Sequence, residues 1–88
     1  MLRVASEYLS KLKDIIKPKL ASLGYQVMTV GSTLKVLKSG KTIMNINDRG
    51  EIVELTFGGK KYTYDKWYTK PEHLAATVIR TIEVQKPS

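Results

Sequence analysis

The chain is predicted to be a small α+β domain, with an N-terminal helix, an antiparallel β-meander of four to five strands and a C-terminal helix. Three observations lead there. Apolar residues recur at helical spacing over about 3–23. Short runs rich in Val, Ile, Thr, Tyr and Leu, divided by turn signals, fill 25–64. A second helical pattern follows a cap signal near Thr69. No connection within the meander is long enough for a parallel crossover.

In the first helix the repeat is Ala5, Tyr8, Leu9, Leu12, Ile15, Ile16, Leu20 and Leu23, with Gly24 as a C-terminal stop. Pro18 removes one backbone donor, so a kink or restart is expected there. Lys13 and Lys17 face outward four residues apart, a spacing that suits either a phosphate backbone or a solvated face.

The turn signals are Gly31-Ser32, Ser39-Gly40-Lys41, Asp48-Arg49-Gly50 and Gly58-Gly59. They delimit strands at about 25–30, 33–38, 42–47, 51–57 and 60–64. Strand registers that give the cleanest apolar face put Tyr25, Val27, Thr29, Leu34, Val36, Met44, Ile46, Val53, Leu55, Phe57, Tyr62 and Tyr64 towards the helices. Both helices are then needed on that face. The other face carries Met28, Val30, Leu37, Ile43 and Ile52 among lysines and amides, uncovered. Read as a contiguous apolar patch, it points to a partner surface or a homodimer through the sheet, with Met28, Leu37, Ile43 and Ile52 as its contact residues.

Thr69 and Glu72 have capping-box spacing and Pro71 suits a first turn, so the second helix is placed at about 70–83. Its buried stripe is Leu74, Ala75, Val78, Ile79 and Ile82, and the tail 84–88 is expected to fray. The 88 residues make one domain, 1–88.

Composition narrows function by exclusion. With no cysteine there is neither a disulfide framework nor a thiolate metal site. No run reaches the length of a membrane span and no signal-peptide pattern opens the chain, so a cytoplasmic protein without membrane attachment is expected. The formal charge is +7. Residues 1–41 hold eight basic side chains against Glu7 and Asp14, a net +6, while residues 42–88 hold seven against six, a net +1. Such a field attracts polyanions, nucleic acid (DNA or RNA) first.

The expected phosphate contacts are Lys11, Lys13, Lys17, Lys35, Lys38 and Lys41. Lys38-Ser39-Gly40-Lys41 is the best phosphate loop, though not a Walker loop. Gly58-Gly59-Lys60-Lys61 is a similar tip, placed at the far end of the sheet. Trp67, with Tyr68 and flanked by Lys66 and Lys70, either stacks on bases or closes the edge of the core, and the second role is favoured.

Catalysis is not expected. The sole histidine, His73, has no metal-binding companion, no cofactor or small-molecule substrate is evident, and His73 and Arg80 lie two helical turns apart, roughly 10 Å. The expected function is therefore non-catalytic nucleic-acid binding through the lysine-rich N-terminal half. The alternative is a protein–protein interaction module or small regulator that uses the open sheet face.

The helix–sheet–helix order is similar to that of double-stranded-RNA-binding domains and of the Alu-binding subunits of the signal recognition particle. The similarity is one of topology alone. Lys70-Pro71-Glu72-His73 opens the last helix where the former family has a lysine cluster, Gly31-Ser32 is too short for its minor-groove loop, and the strand count is high. No functional residue is carried over.

Overall fold

The computed structural model describes residues 7–85. Helix α1 (Glu7–Ser22) leads into strands β1 (Gln26–Val30), β2 (Thr33–Lys38), β3 (Lys41–Asp48), β4 (Ile52–Phe57) and β5 (Lys60–Asp65), followed by helix α2 (Pro71–Gln85). The five strands form one antiparallel sheet in the order β1-β2-β3-β4-β5, the meander expected from its short loops. The two helices pack against each other and share one core with one face of the sheet.

Leu9, Leu12, Ile16 and Leu20 on α1, and Leu74, Ala75, Val78 and Ile82 on α2, close over Leu34, Val36, Met44, Ile46, Val53 and Leu55. Burial is deepest along the centre of the middle strands and fails at the edges. Thr29 on β1 and Tyr62 on β5 belong to the helix-facing side yet are exposed, because two helices do not span five strands.

α1 runs through Pro18 as a single helix, without the expected restart. Pro18 and Asp14, four residues before it, are both exposed, so the carbonyl that loses its partner faces water. Ala5 and Arg3 lie outside the described residues. At the other end Gly24 takes φ 92°. Tyr25 N–H donates to Leu20 O at 2.9 Å and Gly24 N–H to Ala21 O at 3.0 Å, a Schellman closure that fixes where Tyr25 leaves the helix.

α2 starts one residue later than expected. Leu74 N–H donates to Lys70 O at 3.0 Å, which makes Lys70 the cap and Pro71 the first helical residue. Thr69 instead presents its carbonyl to the Tyr8 hydroxyl at 2.7 Å. Val84 and Gln85 belong to the helix and not to a frayed tail.

The helices lie parallel: Tyr8 meets Thr69 at their N-termini, and Lys19 meets Glu83 at 3.7 Å near their C-termini. Their dipoles therefore add. Glu7 and Glu72 sit at the positive ends and Lys19 at a negative one, each with the favourable sign.

Candidate nucleic-acid interface

In a meander, alternate turns fall on the same end of the sheet. The β2–β3 and β4–β5 tips, read from sequence as far apart, therefore sit together beside the C-terminus of α1. Between them lies an open groove of about 790 Å³. Its walls are aromatic and apolar: Tyr25 from the Schellman exit, Phe57 and Tyr62 from β4 and β5, and Ile43 from β3. Lys38 and Lys60 rim it, and no carboxylate lines it. Lys38 Nζ stands 5.1 Å from the Tyr25 ring centroid, a cation–π contact that holds the ring and leaves the ammonium at the surface.

Ile43 reaches this groove because the β2–β3 register breaks. Val36 pairs with Met44, but Leu37 pairs with Thr42, leaving Ile43 as the extra residue of a bulge. It packs half-buried against the core cluster. This corrects its assignment to a flat patch on the open sheet face.

The rest of that patch divides in two. Met28, Val30 and Leu37 lie together at the β1–β2 edge, where Met28 pairs with Lys35, Val30 with Thr33 and Leu37 with Gln26, whereas Ile52 pairs with Asp65 on β4 and β5 and stands apart. Between the edge cluster and Ile52 run the polar rows Lys35–Asn45–Thr56 and Thr33–Asn47–Glu54. These rows are tied by polar contacts: Lys35 Nζ donates to Asn45 Oδ1 at 3.2 Å, and Arg49 and Lys61 flank Glu54 at 3.5 and 3.7 Å.

The expected basic residues fall on separate surfaces. At about 100° per residue, Lys13 and Lys17 occupy the α1 flank beside β1, while Lys11 is turned about 160° from Lys13 towards α2. Lys17 borders a second depression, of about 430 Å³, that also includes Tyr25 and Met28. Lys11 instead lies with Tyr8, Asp48 and Lys66 near the N-terminus of α1. Lys35 sits in the middle of the open sheet face. Lys38 and Lys41 flank the hairpin tip at the groove, and Lys41 is exposed. The structure thus gathers Lys17, Lys38 and Lys41 at one end and adds Lys60. Parity of the turns could have revealed Lys60, Tyr62 and Phe57 as their companions.

Trp67 is not core. It is 81 % exposed and Tyr68 84 %, which overturns the favoured expectation that Trp67 closes the core edge. The loop is nonetheless well determined by hydrogen bonds: Trp67 N–H donates to Asp65 Oδ1 at 2.8 Å, and Thr69 N–H to Asp65 O at 2.8 Å. This pair stands at the opposite end of β5 from the groove, about 17 Å along the strand. Glu7, Asp48, Glu51, Asp65 and Glu72 stand on the turns and helix starts of that end beside Lys11, Arg49, Lys66 and Lys70. That end is therefore close to neutral, and the excess positive charge lies at the hairpin end.

His73 and Arg80 are both exposed on α2, and the His73 carbonyl accepts from Thr77 Oγ1 at 3.2 Å. Among the described residues, no group of three or more His, Asp or Glu is placed to hold a metal ion, and no helix is long and apolar enough to cross a membrane. Compared with known proteins, the chain matches no family model, no curated protein and no solved structure.

Proposed function

We propose that this chain is a small, basic, non-catalytic nucleic-acid-binding protein that contacts phosphates through the hairpin end of its sheet. The observation that carries this reading is the groove itself, where Tyr25, Phe57 and Tyr62 alternate with Lys38 and Lys60 and no carboxylate competes. Aromatic faces for bases beside ammonium groups for the backbone are the elements that nucleic-acid grooves combine. The interface is narrower than the whole lysine-rich N-terminal half, since Lys11 and Lys35 lie elsewhere.

Fluorescence anisotropy of labelled single-stranded DNA, duplex DNA and RNA at about 50 and 200 mM salt tests it, because each phosphate contact contributes close to one unit of log–log salt slope. Binding that weakens steeply with salt is expected, with a slope about two units shallower in the Lys38→Gln/Lys60→Gln variant. Absence of binding to all three at low salt overturns the reading.

A second reading, a protein-interaction module, draws on Trp67 and Tyr68, since exposed tryptophan and tyrosine on a hydrogen-bonded loop are typical interface anchors. It is favoured if the Trp67→Ala variant loses a co-purifying protein that the native chain retains.

A further inference from the structure

The groove does not end at Tyr25. The same ring forms a wall of the second depression, whose outer border is Lys17 on α1 and Met28 on β1. The two depressions therefore adjoin at Tyr25 around the end of the sheet, with Lys60, Tyr62 and Lys38 on one side of that ring and Lys17 on the other. Lysines stand at the start, middle and end of this path, with an aromatic ring between each pair. Neither Lys17, Lys38 nor Lys60 forms an ion pair with a carboxylate among the described residues. Both depressions are open to solvent. A small molecule would stay largely hydrated in either, whereas a chain could continue from one to the next.

From this path, and resting on the reading given under Proposed function, we propose that the ligand is a single strand of nucleic acid, laid from Tyr62 over Tyr25 to Lys17, and not a duplex. The discrimination follows from what the rings can reach. In a duplex the base faces are stacked on one another, so Tyr62 and Tyr25 would meet only the backbone and contribute little. In a single strand a base can turn onto the exposed Tyr62 ring, with Tyr25, held by Lys38, as the wall that the strand passes, while the phosphates stay with the ammonium groups. A duplex is also a stiff rod, which cannot follow a path that turns from β5 across the sheet end to the flank of α1. DNA and RNA strands are both expected to bind.

The test uses the full chain with oligothymidylate and oligouridylate of increasing length and a duplex of matched length, at one low salt concentration. Single strands should bind at least about 5-fold tighter than the duplex, with affinity rising with length to a plateau once the path is filled. Tyr62→Leu should cost single-strand affinity about 5-fold or more, the lower range for one lost stacking contact, and leave duplex affinity unchanged. Tyr62 is 44 % exposed, so the variant keeps its fold, which circular dichroism verifies. Lys17→Gln, at the other end of the path, should weaken only strands long enough to reach it. Equal affinity for strand and duplex, with Tyr62→Leu and Lys17→Gln both silent, overturns this inference while leaving phosphate binding intact. Loss of all binding at low salt overturns both.

Discussion

Lys66 Nζ lies 2.8 and 2.9 Å from the two carboxylate oxygens of Asp48, which joins the loop after β5 to the end of β3. Both side chains are mostly buried, and Asp48 Oδ1 also accepts from Gly50 N–H at 2.9 Å. The same ammonium stands 5.4 Å from the Tyr8 ring centroid and so reaches α1 as well. Three parts of the chain thus meet on one charge. Asp48→Asn keeps an acceptor for Gly50 but leaves Lys66 without its counter-charge in a part-buried site. Urea denaturation should show a loss of about 1–3 kcal/mol. Lys66→Met, which strands the more deeply buried Asp48 carboxylate, should cost at least as much as Asp48→Asn. A clearly smaller loss for Lys66→Met would mean that the other contacts of Asp48 sustain its charge without the ammonium.

The Tyr8 hydroxyl beside this pair has its pKa pushed up to about 12, chiefly by burial and then by the charges of Asp48 and Glu72. An unfolded tyrosine ionises near 10. Between those values the folded chain holds a proton that the unfolded chain releases, so stability falls as pH rises through the window and is unaffected below it. Tyr64 is also raised, by burial and then Tyr62, and adds in the same direction. The difference between native and Tyr8→Phe stability curves isolates Tyr8. Tyr8→Phe should lose about 0.5–1.5 kcal/mol at neutral pH with the Thr69 bond, and the gap should shrink from pH 10 upwards. A gap that stays constant to pH 12 would remove Tyr8 as the alkaline titrant.

Most of the architecture was legible because each local signal agreed with the next. Glycine-bearing turns bracketed β-branched runs, and the alternation within each run put Leu34, Val36, Met44, Ile46, Val53 and Leu55 on the side that the structure buries. The candidate site was harder to read for three physical reasons. The bulge at Ile43 carries no glycine or other marker, so strict alternation assigns its side chain to the flat face. Lateral coverage by the helices is a tertiary property, so Tyr62, apolar in pattern, could not be known to be open. The size of Trp67 suggests burial, whereas Asp65 turns the backbone outwards at that position. By contrast, the meeting of the 38–41 and 58–61 tips follows from strand parity and was available in the sequence.

Trp67, the sole tryptophan, makes its environment directly measurable. With 81 % of its surface in water, its emission should be that of a hydrated indole, and acrylamide should quench it nearly as well in the native as in the unfolded chain. Trp67→Ala should change stability by no more than about 0.5 kcal/mol, as for surface positions away from structural devices. Blue-shifted, quencher-protected emission in the isolated chain would mean that the ring is covered in solution, by a second copy or by the protein itself.

Ser39 is the one non-glycine residue with positive φ among the described residues, at 54°, and Gly40 follows at 80°. Two successive left-handed residues make this hairpin a type I′ turn, whose preferred sequence is Asn-Gly. A serine in that region carries a steric cost that asparagine, with its local hydrogen bonding, largely avoids. Ser39→Asn should therefore stabilise the fold by about 0.5–1 kcal/mol, read as a higher urea midpoint at unchanged slope. Ser39→Val, β-branched at the same φ, should destabilise it. Because Ser39→Asn leaves in place the Lys38–Lys41 pair that closes the turn, it should leave oligonucleotide affinity unchanged. A gain in stability accompanied by a loss of affinity would show that the tip must deform to admit the strand.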